Sequence, residues 1–312
     1  MIMKKNHNFI REKGLYVEIY SYKIPFKAPL CLKNGKVLFR KGLLLNIDSL
    51  WGEIAPLEGF SKESLEDALT QTIKLCTGET EENLFPSVSF GFCSALNGKK
   101  YELPTSYLYQ KANLGIEKGS NASCAKIKLH HFDIEKSILT IQDILKEYPN
   151  IRLRIDCNQS WSLDEALLFS KQFARDTFDY LEEPLKNPEE LIEFYKKTKF
   201  PIALDESLYQ KKGLSLNLLQ HRAIKTFILK PMMIGGIREL SFWIDFAKEK
   251  DVQIVLSSSF ESSVGIKKIL GLANYFSITT PVGVDTLKFF AKDAADKILL
   301  KKVFATEKNK VK

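Results

Sequence analysis

The amino-acid sequence predicts an α/β barrel of the TIM-like type, (β/α)7β or (β/α)8, preceded by an N-terminal α+β capping domain. Three observations lead to this fold class. The chain has 312 residues, 45% of them apolar, which suffices for one large domain or two unequal ones. Residues 15–55 alternate apolar and polar side chains, as half-buried antiparallel strands do. After residue 100, strand-like segments recur at the spacing of one strand plus one return helix.

The N-terminal third is predicted to contain an antiparallel meander followed by two helices. Asn34-Gly35 is a hairpin-turn pair within the alternating segment. The first helix is expected to begin with Ser61 as its N-cap and to end at Gly78. Its apolar stripe would comprise Leu65, Ala68, Leu69, Thr72, Ile73 and Cys76. A second helix is expected over 87–96.

The predicted domain boundary lies at the polar, turn-prone residues 97–100. The chain would then divide into a capping domain (1–98), a barrel (99–290) and a C-terminal tail (291–312). The tail is expected to fray or to pack on the capping domain. Its basic side chains are interpreted as a solvated surface: Lys301, Lys302, Lys308, Lys310 and Lys312.

Eight strands are expected in the barrel, near 106–109, 125–129, 151–156, 180–182, 202–205, 227–230, 254–257 and 281–284. Seven of them end in a polar residue: Lys128, Asp156, Glu182, Asp205, Lys230, Ser257 and Asp285. Helices are expected between the strands, including one that begins with the capping box Ser162 to Glu165. Later helices should cover about 188–198, 237–250 and 262–275. Parallel strands are buried on both faces, so charges belong at the C-terminal rim, where barrel active sites form.

Composition and charge exclude several classes of protein. No apolar run approaches the ~18 residues that a membrane helix needs. The N-terminus does not resemble a secretory signal, so we expect a cytoplasmic protein with no membrane partner. The net charge of +8 does not indicate a nucleic-acid partner, because acidic residues are interspersed throughout, but it would help recruit a small anionic metabolite. Five widely spaced cysteines fit reduced thiols. The sequence does not determine the oligomeric state.

Three carboxylates end consecutive predicted strands, which predicts a metal site. Asp156, Glu182 and Asp205 would converge on one sector of the barrel mouth, where like charges repel unless a cation neutralises them. An all-oxygen ligand set without His or Cys favours a hard ion, Mg²⁺ first and Mn²⁺ second. The competing interpretation, three separate capping or surface acids, is weakened because all three occupy the same strand position.

Two lysines are expected on opposite sides of this metal sector. Lys128 ends the second strand and Lys230 the sixth, and Lys126 shares the face of Lys128. Neighbouring cations would lower the pKa of a lysine towards the range of a base, and Lys126 could contribute to this or hold a ligand carboxylate. Such a site suits removal of a proton next to a carboxylate, with the metal stabilising the enediolate. A lysine Schiff base is the alternative, but it needs no cage of three carboxylates.

These residues resemble the enolase superfamily, in its muconate-lactonising branch, over nearly the whole chain. The motifs are weak singly and strong in this order: Ala125-Lys-Ile-Lys128, Asp156-Cys-Asn158, Leu181-Glu-Glu-Pro184, Leu204-Asp-Glu-Ser207, Leu229-Lys-Pro231 with Gly235-Gly236, and 257–263. The resemblance implies that Asp156, Glu182 and Asp205 are the metal ligands. It makes Glu183 and Glu206 neighbours of those ligands rather than ligands themselves.

Within the superfamily, four segments are similar to the o-succinylbenzoate synthase family: 51–61, 86–91, 257–263 and 283–287. The resemblance implies a dehydratase of menaquinone biosynthesis that converts 2-succinyl-6-hydroxy-2,4-cyclohexadiene-1-carboxylate into 2-succinylbenzoate. In that scheme Lys128 takes the α-proton and then protonates the departing hydroxyl, while Lys230 stays charged and stabilises the enediolate. Residues expected to contact the substrate are Lys126, Asn158, Ser257, Ser258 and Gly283.

Alternatives remain open at several positions. The loop from Gly52 to Ser61 is either a lid over the substrate or an ordinary strand-to-helix turn. Ser257, Ser258 and Ser259 either bind substrate or cap the next helix. His130 and His131 are interpreted as turn residues.

Other functions compete with the dehydratase. Racemisation of N-acylamino acids or epimerisation of dipeptides would use the same two lysines, although Asp285-Thr-Leu lacks the Asp-x-Asp of dipeptide epimerases. A catalytically silent barrel has no physical reason to keep clustered buried charges.

Overall fold

The computed structural model describes residues 15–32, 35–79, 83–95, 106–109, 124–129, 133–209, 215–294, 296 and 299–306. These residues form two sheets, one of four strands and one of seven. The smaller sheet belongs to the N-terminal region and the larger one is entirely parallel, so the predicted barrel with an α+β cap is confirmed. The boundary predicted at 97–100, and His130 and His131, lie outside the described residues.

The N-terminal sheet is the predicted antiparallel meander. Strands β1 (Val17–Leu32), β2 (Gly35–Ile47) and β3 (Leu50–Ile54) pair in sequence order. The pairing of β1 with β2 brings Leu32 opposite Gly35, as expected for a hairpin turn at this position.

Two helices, α1 (Leu65–Thr77) and α2 (Pro86–Ala95), follow the meander. The N-cap predicted at Ser61 is wrong. Helix α1 begins at Ser64, whose hydroxyl accepts from Asp67 N at 3.0 Å while the Asp67 carboxylate accepts from Ser64 N at 3.2 Å. This reciprocal capping box satisfies two backbone donors, whereas Ser61 Oγ accepts from Leu57 N within the preceding turn. The predicted end of the helix at Gly78 is confirmed, with φ +89°.

The parallel sheet is formed by seven strands: β4 (Ser106–Tyr109), β5 (Cys124–Lys128), β6 (Arg152–Asp156), β7 (Phe178–Glu182), β8 (Ile202–Leu204), β9 (Ile224–Leu229) and β10 (Gln253–Leu256). Neighbours in sequence are neighbours in the sheet, which is the strand order of a singly wound parallel barrel. The eighth strand predicted at 281–284 is reduced to a single bridge between Ser257 and Gly283 among the described residues. It extends the sheet beyond β10.

Helices on the outside of the sheet are α3 (Ile134–Glu147), α4 (Leu163–Ser170), α5 (Leu191–Thr198), α6 (Leu216–Leu219), α7 (Pro231–Ile234), α8 (Ile237–Glu249) and α9 (Ser263–Tyr275). The capping box of Ser162 and Glu165 is present at the start of α4. One continuous core joins the helices and the strands, and it includes Phe26 of β1, which stacks on Phe290 with ring centroids 4.9 Å apart. The cap is therefore packed on the barrel through apolar side chains.

The segment after the barrel is not simply a frayed tail. Strand β11 (Leu300–Ala305) pairs antiparallel with β1, on the side away from β2. Lys301 and Lys302 therefore belong to the N-terminal sheet, and the Lys302 ammonium donates to Glu18. Lys308, Lys310 and Lys312 lie outside the described residues.

Two further expectations have a structural answer. Cys76, Cys93, Cys124 and Cys157 are thiols, as expected for reduced cysteines. In the described part of the chain, no helix has both the length and the apolar character that a membrane span requires.

Candidate active site

The strands bring the predicted polar residues to one end of the parallel sheet. In the register of the sheet, Lys128 lies beside Asp156, and Asp156 lies beside Glu182. Asp205 and Lys230 directly follow β8 and β9. A small buried cluster is formed by the residues two positions before Glu182, Asp205, Lys230 and Ser257, which are Tyr180, Ala203, Ile228 and Val255. Because side chains two residues apart share a face, this cluster lies beneath the charged groups as an apolar layer.

Lysines and carboxylates at this end are paired with one another. Lys126 Nζ lies 2.6 Å from Glu182 Oε1 and 3.0 Å from Asp156 Oδ2. Lys128 Nζ lies 3.3 Å from the same Asp156 oxygen. On the other side, Lys230 Nζ donates to Asp205 Oδ2 at 2.5 Å. Ammonium groups thus stand between the carboxylates, and no three acidic, histidine or cysteine side chains of the described residues converge as a ligand cluster.

Three acidic side chains nevertheless keep one buried oxygen that accepts no hydrogen bond from the described residues. These oxygens are Glu182 Oε2, Asp205 Oδ1 and Glu206 Oε2, whereas Asp156 Oδ2 is in contact with Lys126 and Lys128. A buried carboxylate oxygen without a partner carries a large desolvation cost. Together with the Asp156 carboxylate, these oxygens at three neighbouring strand ends form an all-oxygen donor set, which fits a hard divalent cation.

The pKa values of the carboxylates reflect this crowding. Burial raises the pKa of Glu182 well above its ordinary value, and Asp156 raises it further. Burial would also raise the pKa of Asp156, but Lys126 and Lys128 outweigh it and hold that pKa below the ordinary range. Burial, followed by Asp205 and Asp156, raises the pKa of Glu206 to about 7. A cation placed among these groups would favour their ionised forms.

The pKa of Lys230 is determined by its burial and by the carboxylates around it. Burial lowers this pKa, but the charges of Asp205 and Glu206 outweigh burial and raise it to about 12. Lys230 is therefore a cation at neutral pH in this arrangement. The pKa of Lys126 is raised in the same way, because Asp156 and Glu182 outweigh its burial.

Glu183 holds the segment that carries Asp205, a role that sequence reasoning missed. Its Oε1 accepts from Asp205 N at 2.8 Å and from Ser207 N at 2.9 Å. Its Oε2 accepts from Ser207 Oγ at 2.7 Å and from Gln159 Nε2 at 3.0 Å. Glu183 follows β7 with φ +44°, so its side chain departs from the direction of Glu182. In the sequence, the feature that could have pointed to this role is the second glutamate of Leu181-Glu-Glu-Pro184.

Asn158 and the loop after β10 occupy the rim of the site. Asn158 Nδ2 donates to Glu206 Oε1 at 2.5 Å, so it orients an acid rather than standing open towards a substrate. Ser257 Oγ donates to Gly283 O at 3.2 Å. A Cβ atom at Gly283 would lie 2.8 Å from that hydroxyl, so a larger residue at this position would displace the Ser257 side chain.

The serines after β10 do not cap helix α9. The N-cap is Ser262, whose hydroxyl accepts from Val264 N at 3.2 Å. Ser258 Oγ is paired with Thr286 Oγ1 at 2.8 Å, and Ser259 Oγ is buried without a partner among the described residues. The capping alternative for these serines is therefore wrong.

Comparison with known proteins agrees with this geometry. A family model described as enolase C-terminal domain-like matches residues 112–307, and a model of the MenC N-terminal domain matches residues 15–98. The o-succinylbenzoate synthase of Pasteurella multocida (strain Pm70) is 33% identical over 301 residues, covering 86% of this chain and 88% of the relative. That of Yersinia pseudotuberculosis (strain IP32953) is 30% identical over 293 residues, covering 86% and 89%.

Solved structures show the same fold. An o-succinylbenzoate synthase from Thermosynechococcus elongatus BP-1, complexed with Mg in its active site, has a TM-score of 0.71 at 21% identity and covers 89% of this chain and 95% of its own. An L-Ala-D/L-Glu epimerase from Bacillus subtilis has a TM-score of 0.73 at 20% identity, covering 89% and 91%. From the family models and the curated relatives together, this chain is an enzyme of the enolase superfamily and belongs to its o-succinylbenzoate synthase family.

Proposed function

We propose that this protein is an o-succinylbenzoate synthase of menaquinone biosynthesis, which dehydrates 2-succinyl-6-hydroxy-2,4-cyclohexadiene-1-carboxylate to 2-succinylbenzoate. The observation that carries the proposal is the order of charges around the strand ends. Lys126 and Lys128 stand on one side of the buried carboxylates and Lys230 on the other. The names of the relatives that are 30% to 33% identical support the same reaction.

Asp156, Glu182 and Asp205 would hold Mg²⁺, with Mn²⁺ as the alternative, because Glu182 and Asp205 each keep a buried oxygen without a hydrogen bond from the described residues and Asp156 lies beside Glu182 in the sheet. When bound, the ion supplies a positive charge opposite the substrate carboxylate and so stabilises the additional negative charge that follows proton removal. Glu183 fixes the backbone of Asp205 and Ser207, and thereby the direction of the Asp205 carboxylate. Asn158 orients Glu206 by donating a hydrogen bond from its side-chain amide to the Glu206 carboxylate.

Lys128 is proposed as the base that takes the α-proton and, as the ammonium, returns a proton to the departing hydroxyl. Its side chain is 28% exposed, so it can reach a ligand above the carboxylates, and its ammonium lies 3.3 Å from Asp156. Lys230 remains a cation next to Asp205 and stabilises the anionic intermediate by charge. The product ring is aromatic, so modest electrostatic assistance suffices for the reaction.

The proposal is tested by incubating the protein with the cyclohexadiene substrate and Mg²⁺ while following aromatisation by ultraviolet absorbance. We expect turnover in the wild type and losses of about 10²- to 10⁴-fold in Lys128→Ala and Lys230→Ala. Lys225→Ala is the matched control, because Lys225 is exposed at the start of the same strand as Lys230. Undiminished activity in either active-site variant would reject the assigned roles.

Racemisation of an N-acylamino acid is the second candidate, since lysines on both sides of a bound carboxylate also suit proton exchange at one carbon. Dipeptide epimerisation is less favoured, because Asp285 is already paired with Lys288 at 2.6 Å. Incubation with N-succinyl amino acids in deuterated water separates the functions. Exchange of the α-proton without turnover of the cyclohexadiene substrate would favour the racemase.

A further inference from the structure

Arg40 of β2 joins a loop of the capping domain to a loop of the barrel. Its side chain is only 3% exposed. On the cap side, Nη1 donates to Pro56 O at 2.8 Å and Nη2 donates to Ala55 O. On the barrel side, Nε donates to Phe260 O at 2.9 Å and Nη2 to Ser259 O at 3.3 Å. A planar guanidinium with five donors can hold two loops at once, and a lysine cannot.

Glu53 of β3 provides a second connection to the same barrel segment. Its carboxylate is fully buried and accepts from Ser262 N at 3.0 Å, Ser262 Oγ at 2.6 Å and Gly265 N at 2.8 Å. The carboxylate therefore lies at the N-terminus of α9, where negative charge is favourable. Arg40 and Glu53 together fix both the middle and the end of the segment 257–262.

This segment begins beside the reacting groups. Ser257 N donates to Leu229 O at 2.9 Å, and Leu229 precedes Lys230. Ser258 N donates to Gly283 O at 2.9 Å, which fixes the same segment to the rim. The capping segment that Arg40 holds, Ala55–Pro56, lies in the loop 52–61, for which a lid and an ordinary turn are the two interpretations. Arg40 therefore connects this loop to the segment that begins beside Lys230.

We propose that Arg40 is a positioning residue that sets the distance between these two loops and so determines how tightly the site holds the substrate's succinyl chain. This inference rests on the proposed function for the identity of the substrate. Arg40 does not touch the carboxylates or the lysines at the strand ends in any hydrogen bond of the described residues. Its loss therefore affects substrate binding and leaves the proton transfer and the metal site in place.

The test is Arg40→Lys, which keeps the charge and loses the fork of donors. We expect KM for the cyclohexadiene substrate to rise by about tenfold or more, because hydrogen bonds from a charged donor are lost. We expect kcat to stay within about threefold, and the Mg²⁺ dissociation constant, measured by calorimetry without substrate, within about twofold. Lys41→Arg is the matched control: Lys41 is exposed beside Arg40 on the same strand, and its variant should match the wild type.

Hydrogen–deuterium exchange provides a readout that does not depend on turnover. In Arg40→Lys, amides of 55–58 and 257–262 should exchange faster than in the wild type, while those of β6 should not change. If both loops of Arg40→Lys exchange at the wild-type rate, or if kcat falls with an unchanged KM, the inference is overturned. If Arg40→Lys does not fold, Glu53→Gln weakens the second connection and must show the same separation of KM from kcat. A wild type without turnover would reject the proposed function, and the exchange experiment would still decide whether Arg40 connects the loops.

Discussion

Both ends of the parallel strands carry buried charged side chains, but the two groups of side chains differ in their hydrogen-bond partners. At the N-terminal end, Arg154 is buried and donates to Asp179 Oδ2 at 3.2 Å and to Pro281 O at 2.7 Å. Its guanidinium also lies 5.3 Å from the centre of the Tyr180 ring. At the C-terminal end, the carboxylates of Glu182 and Asp205 each retain an oxygen without a hydrogen bond among the described residues.

We interpret the N-terminal cluster as structural and the C-terminal cluster as the proposed ligand site. A cavity of about 610 Å³ opens at the N-terminal end, lined by Arg152, Arg154 and Asp179 among others. Among the described residues that line this cavity, every buried side-chain nitrogen or oxygen has a hydrogen-bond partner. Burying a carboxylate oxygen without a hydrogen bond is costly, which supports the proposal that a cation binds at the C-terminal end. Substitutions at the two ends should therefore change different properties.

The largest effect is expected from Glu182→Gln at the C-terminal end. The substitution keeps the shape of the side chain but replaces one carboxylate oxygen by an NH2 group, which cannot coordinate a cation, and removes the negative charge. We expect Mg²⁺ affinity, measured by calorimetry, to fall by more than about 100-fold and turnover by about 10³-fold. Glu189→Gln, at an exposed position, is the control. Magnesium affinity within about threefold of the wild type would remove Glu182 from the ligand set.

The next largest effect is expected from Arg154→Leu at the N-terminal end. Breaking a buried ion pair leaves Asp179 less well compensated, so the free energy of unfolding should fall by about 3 kcal/mol. Urea unfolding measures this change, and kcat of the folded protein should not change. Arg152→Leu should cost less than about 1 kcal/mol, because the Arg152 side chain is 73% exposed. If Arg154→Leu instead lowers kcat with no loss of stability, the distinction between the ends is wrong.

A smaller effect concerns the pH dependence of stability. Burial, followed by Glu53, raises the pKa of Glu261 from its ordinary value of 4.5 to about 7. Between these pH values the folded protein holds a proton that the unfolded chain has released, so the contribution of Glu261 to stability decreases as pH rises. Glu261→Gln should remove this decrease, which amounts to about 3 kcal/mol or less across the window.

Urea unfolding at pH 5 and at pH 7.5 tests this expectation. The difference between Glu261→Gln and the wild type should be larger at pH 7.5, in favour of the variant. Glu147→Gln, at an exposed position at the end of α3, should follow the wild type at both pH values. A variant whose stability relative to the wild type is the same at both pH values would show that Glu261 is ionised throughout.

Much of the fold could be predicted from sequence because its signals are local. Alternation along β1 and β2, and the polar residue after each barrel strand, follow from which side chains a strand can bury. The position of the first helix start could also have been found, since Ser64 with Asp67 three residues later is a capping-box pattern that Ser61 lacks. The extent of the eighth strand had no such signal, because the bridge between Ser257 and Gly283 that the described residues show and a longer paired strand look alike in sequence.

The parts of the candidate site that escaped prediction depend on contacts far apart in the chain. Arg40 reaches Phe260, and Glu53 reaches Ser262, across more than 200 residues. Nothing in the residues around Arg40 distinguishes a buried connection between domains from a solvated strand position. Glu183 was recognised only as a neighbour of a ligand, because its direction depends on a backbone turn with positive φ.

The pairing of β11 with β1 has a consequence for how the chain is made. Strand β1 is synthesised before the barrel strands, yet its outer partner comprises residues 300–305, which are synthesised after them. Until then, one edge of β1 exposes unpaired backbone donors and acceptors to any neighbouring nascent chain. Translation that stops before residue 300 should therefore yield a protein whose open edge promotes aggregation, even though every proposed catalytic side chain has already been incorporated.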